Sequence, residues 1–350
     1  MSLQTSDGGP RIAVLGTGAN GASIAADLIR AGHDVTLIDQ WPAHVEAMRD
    51  RGIRVEMPDA TTVTPVRALH LCDVATLREP FDIVFLVFKA YDSRWSSRLI
   101  EPHLAPEGVI IGLQNGMSVD DVTAVVGPER TLGGVIEVSS AMYQPGVIER
   151  HSPHSRSWFA VGSPHVPLPD HEQQISGLLS ASGTVEIVGD IMSAKWMKLV
   201  LNATELVPSA ILGLSVAEAA AYPGMRELML RAGREALDAA IGAGHRMVPI
   251  FGLESVDPDR PDLFVETVFD MMLDLYVLPH TRSTVLQDWM KGRKSEVDDI
   301  NGRVVKELAA LGQMAPVNAA ATEIAHRIER KELGLSLGNF ELFSRLSNLD

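Results

Sequence analysis

The stretch "RIAVLGTGANGASIAADLIRAGHDVTLID", residues 11–39, decides the fold. "RIAVLG" is a short apolar run that ends in glycine. "ANGASIAADLIRAG" then places Ile24, Ala25, Leu28 and Ile29 at helical spacing and stops at Gly32. "DVTLID" is a second run of strand length. A strand, a glycine turn, a helix and a second strand make a βαβ unit. Its turn carries Gly16, Gly18 and Gly21 as G-x-G-x-x-G. Alone the pattern is weak; between a strand and a helix it fits a pyrophosphate. Gly16 makes the tight turn, Gly18 admits a phosphate to the backbone, and Gly21 lets helix and strand pack closely. The free N–H groups of the helix, opened by Ala19 and Asn20, face the anion.

Asp39 falls 18 residues after Gly21 and ends the second strand. A carboxylate there accepts both ribose hydroxyls of an adenosine and repels a 2′-phosphate. The next residue is Gln40, not arginine, so the pattern favours NAD over NADP. NADP stays possible if Arg49, Arg51 or Arg54 folds back. The alternative is that Asp39 caps the following helix, whose first turn Pro42 suits.

Outward from this unit, "PAHVEAMRDRG" reads as a helix, and "DIVFLVFK" and "GVIIGLQNG" as central strands buried on both faces. "TLGGVIEVSSAMY", "GVIERH", "SWFAVG" and "TVEIVG" read as shorter strands of an antiparallel extension. Past Gly189–Asp190 helical spacing dominates, with candidate helices at 191–206, 215–221, 225–243, 262–278, 280–291, 295–312 and 316–330. The fold class is α/β: a Rossmann-type doubly wound domain over 11–189, then an all-helical domain over 190–350, after a flexible tail at 1–10.

The chain has 350 residues, 46% apolar and 21% charged, and a formal net charge of −15, ordinary for a soluble protein with room for two domains. The negative balance argues against nucleic acid or an anionic membrane as partner. No apolar run is long enough to span a membrane, and the N-terminus lacks signal-peptide order, so a cytoplasmic location is expected. The single cysteine, Cys72, excludes an internal disulfide and is expected to be buried or half-buried. "HSPHS", with His151 and His154, has no partner at metal-ligand spacing, so no metal is expected. His245 reads as a surface residue.

The chemistry gathers in five stretches. "FKAYDS" and "LQNGMS" set Lys89, Gln114 and Asn115 just beyond strand ends, where ligands of parallel sheets lie. "KWMKLVLN" puts Lys198 and Asn202 on one helix face, about 6 Å apart along the axis. Lys195, at i−3, reads as a solvated bystander. "STVLQDWMKGRKSEVDDING" carries Ser283, Thr284 and Glu296, the last expected in the first turn of a helix.

With "GTGANG", these ordered motifs resemble the ketopantoate reductase family, which reduces 2-dehydropantoate to pantoate with a nicotinamide cofactor; the resemblance runs from about Arg11 to Arg330. It implies Lys198 as catalytic lysine, Asn202 as substrate-binding residue one turn on, and Glu296 beside the cofactor and the lysine. It implies cofactor contacts from Gly16, Thr17, Gly18, Ala19, Asn20, Gly21, Asp39, Lys89, Asn115 and Ala141. Asn115 also counts as a substrate contact, and Ser283 and Thr284 fall where the family holds the substrate carboxylate. Two departures stand out: Leu206 replaces a family asparagine, and Gln40 stands where NADP-dependent members have arginine. The segment 248–280 is longer than in the shortest members; its Phe269, Met271 and Met272 read as core or dimer contacts.

The expected activity is hydride transfer between NAD, or NADP, and a small 2-oxoacid or 2-hydroxyacid, in a homodimer, with Lys198 exchanging the proton. Authentic NADPH-dependent ketopantoate reduction is the alternative, and a non-catalytic dinucleotide sensor the reading from another class.

Overall fold

The computed structural model describes residues 8–348, so the expected tail at 1–10 falls mostly outside the described residues. Two compact units emerge. The first runs to Gln114 and resumes over Ser118–Ile191; the second comprises Asn115–Met117 and the chain from Met192 on.

In the first unit the chain runs β1 (Arg11–Leu15), α1 (Ala19–Arg30), β2 (Asp34–Asp39), α2 (Pro42–Arg51), β3 (Ile53–Glu56), β4 (Thr61–Thr64) and β5 (Arg67–His70). Then come β6 (Phe81–Leu86), α3 (Ser93–Ile100), β7 (Leu104–Gly112), α4 (Val119–Val126), β8 (Thr131–Glu137), β9 (Ser140–Gln144), β10 (Val147–Arg150), β11 (Trp158–Gly162), α5 (Pro169–Leu179) and β12 (Thr184–Ile187). The main sheet has the order β12-β11-β8-β7-β6-β1-β2-β5. From β8 to β5 every pairing is parallel; β11 joins β8 antiparallel and carries β12 with it.

Alternation along β1 explains why both faces are covered. Ile12 and Val14 pack with Ile24, Leu28, Val45 and Ile175 on one face. Ala13 and Leu15 pack with Ile100, Val122 and Val126 on the other.

The antiparallel extension is divided differently from the sequence reading. β11 and β12 extend the main sheet, whereas β9 and β10 join β3 and β4 in a separate four-stranded sheet, order β4-β3-β10-β9. The small strands β3, β4 and β5 escaped the sequence reading because "IRVE", "TTVT" and "RALH" are short and mostly polar. Cys72 is exposed, contrary to expectation, because of the residues of its 3₁₀ turn only Val74 is buried.

The second unit is helical: α6 (Ile191–Ile211, its first residue in the other unit), α7 (Val216–Ala221), α8 (Met225–Gly242), α9 (Pro261–Leu275), α10 (Thr284–Met290), α11 (Asn301–Ala310), α12 (Pro316–Glu329) and α13 (Asn339–Ser347). α6 continues through Pro208 rather than ending at 206. The proline removes one backbone donor, and the Ser209 hydroxyl donates to the Glu205 carbonyl at 2.6 Å in the same turn. Asn301 and Asn318, both fully buried, tie the unit together. Asn301 Nδ2 donates to the Ala203 carbonyl and to Asn318 Oδ1, and Asn318 Nδ2 donates to the Ala232 carbonyl and Glu235. No helix among the described residues is long and apolar enough to cross a membrane.

Candidate active site

The glycine turn of the first unit is fixed from several sides. Gly16 has φ +93°, and a Cβ there would collide with the backbone of Phe88, the neighbour of Lys89. A Cβ on Gly21 would collide with the Gly16 carbonyl. Both glycines are therefore demanded by packing. Gly18 is not: its φ is −60° and a Cβ would meet nothing within 4 Å. Neither backbone conformation nor neighbours require glycine at 18, and the space beside it is open. α1 starts there with no side-chain cap and no acidic residue in its first turn, which leaves its N–H groups and the positive end of its dipole available.

Thr17 is held at both backbone atoms. Its N–H donates to Asp39 Oδ2 at 2.7 Å, and its hydroxyl reaches the same oxygen at 3.1 Å. Its carbonyl accepts from His44 Nε2 at 2.8 Å. Gly146 donates its N–H to His44 Nδ1 at 2.9 Å, so the ring proton sits on Nε2. No sequence signal marked His44; it is fully buried on α2 and links the glycine turn to the smaller sheet. Asp39 is less free than expected, because Oδ1 also accepts the Trp41 N–H at 2.8 Å. Each carboxylate oxygen has more than one acceptor direction, so the Trp41 bond does not exhaust Oδ1. Gln40 is exposed. The nearby arginines are engaged with acids: Arg49 with Asp73 at 2.6 Å, Arg51 with Asp50 at 3.3 Å, Arg54 with Glu56 at 2.6 Å.

The other expected cofactor contacts lie along the first unit, except Asn115. Asn20 accepts the Ser140 hydroxyl, which places Ala141 one residue away in β9 with its side chain fully buried. Lys89 is half-buried after β6. Gln114 is buried, donating to the Ser93 hydroxyl at 3.0 Å, and Asn115 beside it is half-buried and groups with the second unit.

A buried polar network that the sequence did not reveal lies behind α1. Arg150, 1% exposed, donates to Asp27 at 2.6 Å, to the Ser23 and Ser157 hydroxyls and to the Ser182 carbonyl. Burial pushes Asp27 up, but the adjacent His154, the Arg150 charge and the Ser182 hydroxyl outweigh it and hold the carboxyl below its ordinary range. His154 therefore serves this network at 3.0 Å from Asp27. No group of three potential metal ligands exists among the described residues.

In the second unit α6 carries the chemistry. Lys198 is 9% exposed, and its Nζ lies 5.2 Å from the centre of the Phe251 ring. Asn202 is 1% exposed, and its Nδ2 has no hydrogen-bond partner among the described residues. An orphaned buried donor costs about 1–3 kcal/mol, and a ligand oxygen would satisfy it. Lys195 is not a solvated bystander: it is 3% exposed, and burial pulls its ammonium down from 10.5 to about 8. Glu205 and Ser209 are also buried, so the polar stripe of α6 runs well past the lysines.

Ser283 and Thr284 split into two roles. The Ser283 hydroxyl caps α10, accepting the Leu286 N–H, and donates to the Leu206 carbonyl at 2.8 Å. It is committed to structure. Thr284 Oγ1 is buried with no partner among the described residues and stays available to a ligand. Glu296 is buried but does not open a helix. It precedes a 3₁₀ turn, Val297–Asp299, because Ile300 breaks the helical geometry and α11 begins only at Asn301. Glu329 of α12 holds this segment, accepting Trp289 Nε1, the Ser295 N–H and the Ser295 hydroxyl at 2.6–3.0 Å. His245 is half-buried, its ring 5.7 Å from that of Trp196. Of the apolar trio in the long segment, Phe269 and Met272 are core and Met271 is half-buried.

The ketopantoate reductase PanE/ApbA profile matches residues 12–163, and its C-terminal counterpart matches residues 190–329. The chain belongs to the ketopantoate reductase family. It is 27% identical over 311 residues to the 2-dehydropantoate 2-reductase of Nostoc sp., covering 87% of this chain and 91% of that one. It is 26% identical over 322 residues to the enzyme of the same name from Pyrococcus abyssi, covering 88% and 94%. Among solved structures it resembles the PanE/ApbA family ketopantoate reductase of Ralstonia eutropha, with TM-score 0.76, 26% identity and coverage of 92% and 99%. A D-mandelate dehydrogenase solved with NADH and anilino(oxo)acetate shares the fold, with TM-score 0.78, 20% identity and coverage of 92% and 99%.

Proposed function

We propose that this protein is a nicotinamide-dependent oxidoreductase that interconverts a small 2-oxoacid and its 2-hydroxyacid, with NAD(H) as the preferred cofactor and a substrate other than ketopantoate. The observation that carries the reading is α6, where a buried lysine and a buried asparagine with an orphaned amide donor share one face. The residues around Gly18 fit a dinucleotide, since the space there is open and the α1 N-terminus uncapped. Gly16 to Gly21, Asp39 and Lys89 would hold it, together with Asn115 and the backbone at Ala141. A bound nicotinamide supplies the hydride.

The chain's own residues do the rest. As hydride reaches the carbonyl carbon, negative charge grows on oxygen. The Lys198 ammonium stabilises that charge and passes a proton to the oxygen; solvent restores it. In oxidation the same proton moves back. The Asn202 amide and the Thr284 hydroxyl hold the acid group, Glu296 orients Lys198, and Ser283 fixes the start of α10. Exposed Gln40 offers no charge to a 2′-phosphate, and Arg49 is already held by Asp73. Leu206, 6% exposed, offers no hydrogen bond to a substrate hydroxyl. A cytoplasmic homodimer belongs to the same reading, and sedimentation as a monomer at micromolar concentration would refute that part.

Steady-state rates with NADH and NADPH, each against ketopantoate and a panel of 2-oxoacids, test the proposal. A higher kcat/KM with NADH and with another oxoacid is expected. Strong NADPH preference with efficient ketopantoate turnover would overturn it.

A further inference from the structure

The connection 243–260 between α8 and α9 runs beside the first turns of α6. Arg246 donates its N–H to the Ser193 hydroxyl at 3.0 Å, His245 lies against Trp196, and the Phe251 ring lies against Lys198. The backbone that delivers this ring is strained. Leu253 donates its N–H to the Ile250 carbonyl at 3.1 Å, and the two residues enclosed, Phe251 and Gly252, have φ 60° and 79°. Two successive left-handed residues inside an i→i+3 bond have the form of a type I′ turn. Its first central position favours Asn, Asp or Gly, and a bulky side chain there is an outlier. Strain of this kind persists only where surrounding structure over-determines it, and it collects at functional sites. Phe251 is buried, and Tyr276 backs it at 5.7 Å with the rings inclined at 52°.

We propose that Phe251 is a positioning residue for Lys198: the turn forces its ring under the lysine so that the ammonium rests on the π-face. The inference rests on the reading of Lys198 as the proton donor. A lysine side chain has four rotatable bonds and no fixed direction of its own. A ring face attracts the ammonium over a defined area. The ring itself carries no opposing charge. An ammonium held this way is placed yet still able to donate to a substrate oxygen.

The test uses the full chain with NADH and the 2-oxoacid it turns over fastest. Phe251→Asn removes the ring and suits the turn; Phe251→Leu, which keeps apolar bulk in the buried site without a π-face, gives the same reading if the asparagine variant does not fold. The kcat should fall tenfold or more, as approximate placement of a catalytic group predicts. KM for the oxoacid and the dissociation constant for NADH should stay within about twofold, a split that a merely structural role would not produce. Phe251→Tyr keeps the π-face and should restore kcat to within about threefold of the parent. A Phe251→Asn enzyme with near-parental kcat, or a Phe251→Tyr enzyme as slow as Phe251→Asn, would overturn the proposal. Lys198→Ala separates the two levels. Continued turnover in that variant removes the role of Lys198 and this inference with it. An inactive Lys198→Ala beside an unaffected Phe251→Asn removes the inference alone.

Discussion

Replacing Lys195 by methionine should make the protein more stable. Methionine matches the unbranched stem of lysine and carries no charge to bury. Lys195 is 3% exposed, and burial lowers its ammonium from 10.5 to about 8. At 1.36 kcal/mol per unit, that displacement corresponds to about 3 kcal/mol of cost for keeping the charge inside. The pH dependence has a definite sign. Below pH 8 both folded and unfolded chains carry the charge, and the folded state bears the full cost. Between pH 8 and about 10.5 the folded chain gives up its proton first, the unfolded chain holds more protons, and stability rises with pH. Above that range the cost is gone. Thermal unfolding of both proteins at pH 7 and pH 10 measures it. At pH 7 the variant should gain about 6–12 °C, given about 2–4 °C per kcal/mol for a unit of this size. At pH 10 most of the gain should vanish. A variant less stable at pH 7, or a gain of equal size at both pH values, would refute the reasoning. The first result would mean that attraction from surrounding groups exceeds the desolvation cost.

The two glycines make a contrasting pair: Gly18→Ala should change stability by less than about 1 kcal/mol yet weaken NADH binding at least about tenfold, as read by fluorescence titration. Gly21→Ala, whose Cβ meets the Gly16 carbonyl, should instead cost about 1–3 kcal/mol in chemical denaturation. Arg150→Met leaves Asp27 buried with its ion pair broken, and calorimetry should show a loss of about 3–5 kcal/mol, with the midpoint down by about 10 °C. Leu206→Asn restores an amide in the substrate-facing stripe and should raise kcat/KM for ketopantoate by about tenfold, the worth of one hydrogen bond, with smaller gains for oxoacids that lack the hydroxyl.

The βαβ unit was legible because its signals are local. Apolar runs, helical spacing and Gly32 and Gly52 as stops put α1, β2 and α2 almost where they lie. Lys195 was misread because the same spacing serves a solvated face and a buried one; only tertiary packing decides between them. The stop at 206 failed because Pro208 costs α6 one hydrogen bond, less than the burial of Val207, Ala210 and Ile211 returns. Ser283 was open to the better reading, since serine directly before a helical run is a cap signal. His44 and Arg150 gave no sign at all. One key partner of each, Gly146 for His44 and Asp27 for Arg150, lies about a hundred residues away, and no window along the chain contains both ends.

That distance has a consequence for how the first unit is made. Asp27 emerges early in synthesis, Arg150 follows, and the Ser182 hydroxyl that also bonds Asp27 comes later still. β1, the first strand made, lies inside the sheet, and β10 pairs with the much earlier β3. Until residues near 182 have left the ribosome, α1 carries a carboxylate whose arginine and serine partners are not all present. A chain cut after β8 would lack Arg150 and Ser182, and with them two partners of the buried Asp27 carboxylate. The buried ion pair and its hydroxyl partners are therefore complete only once residue 182 has been made.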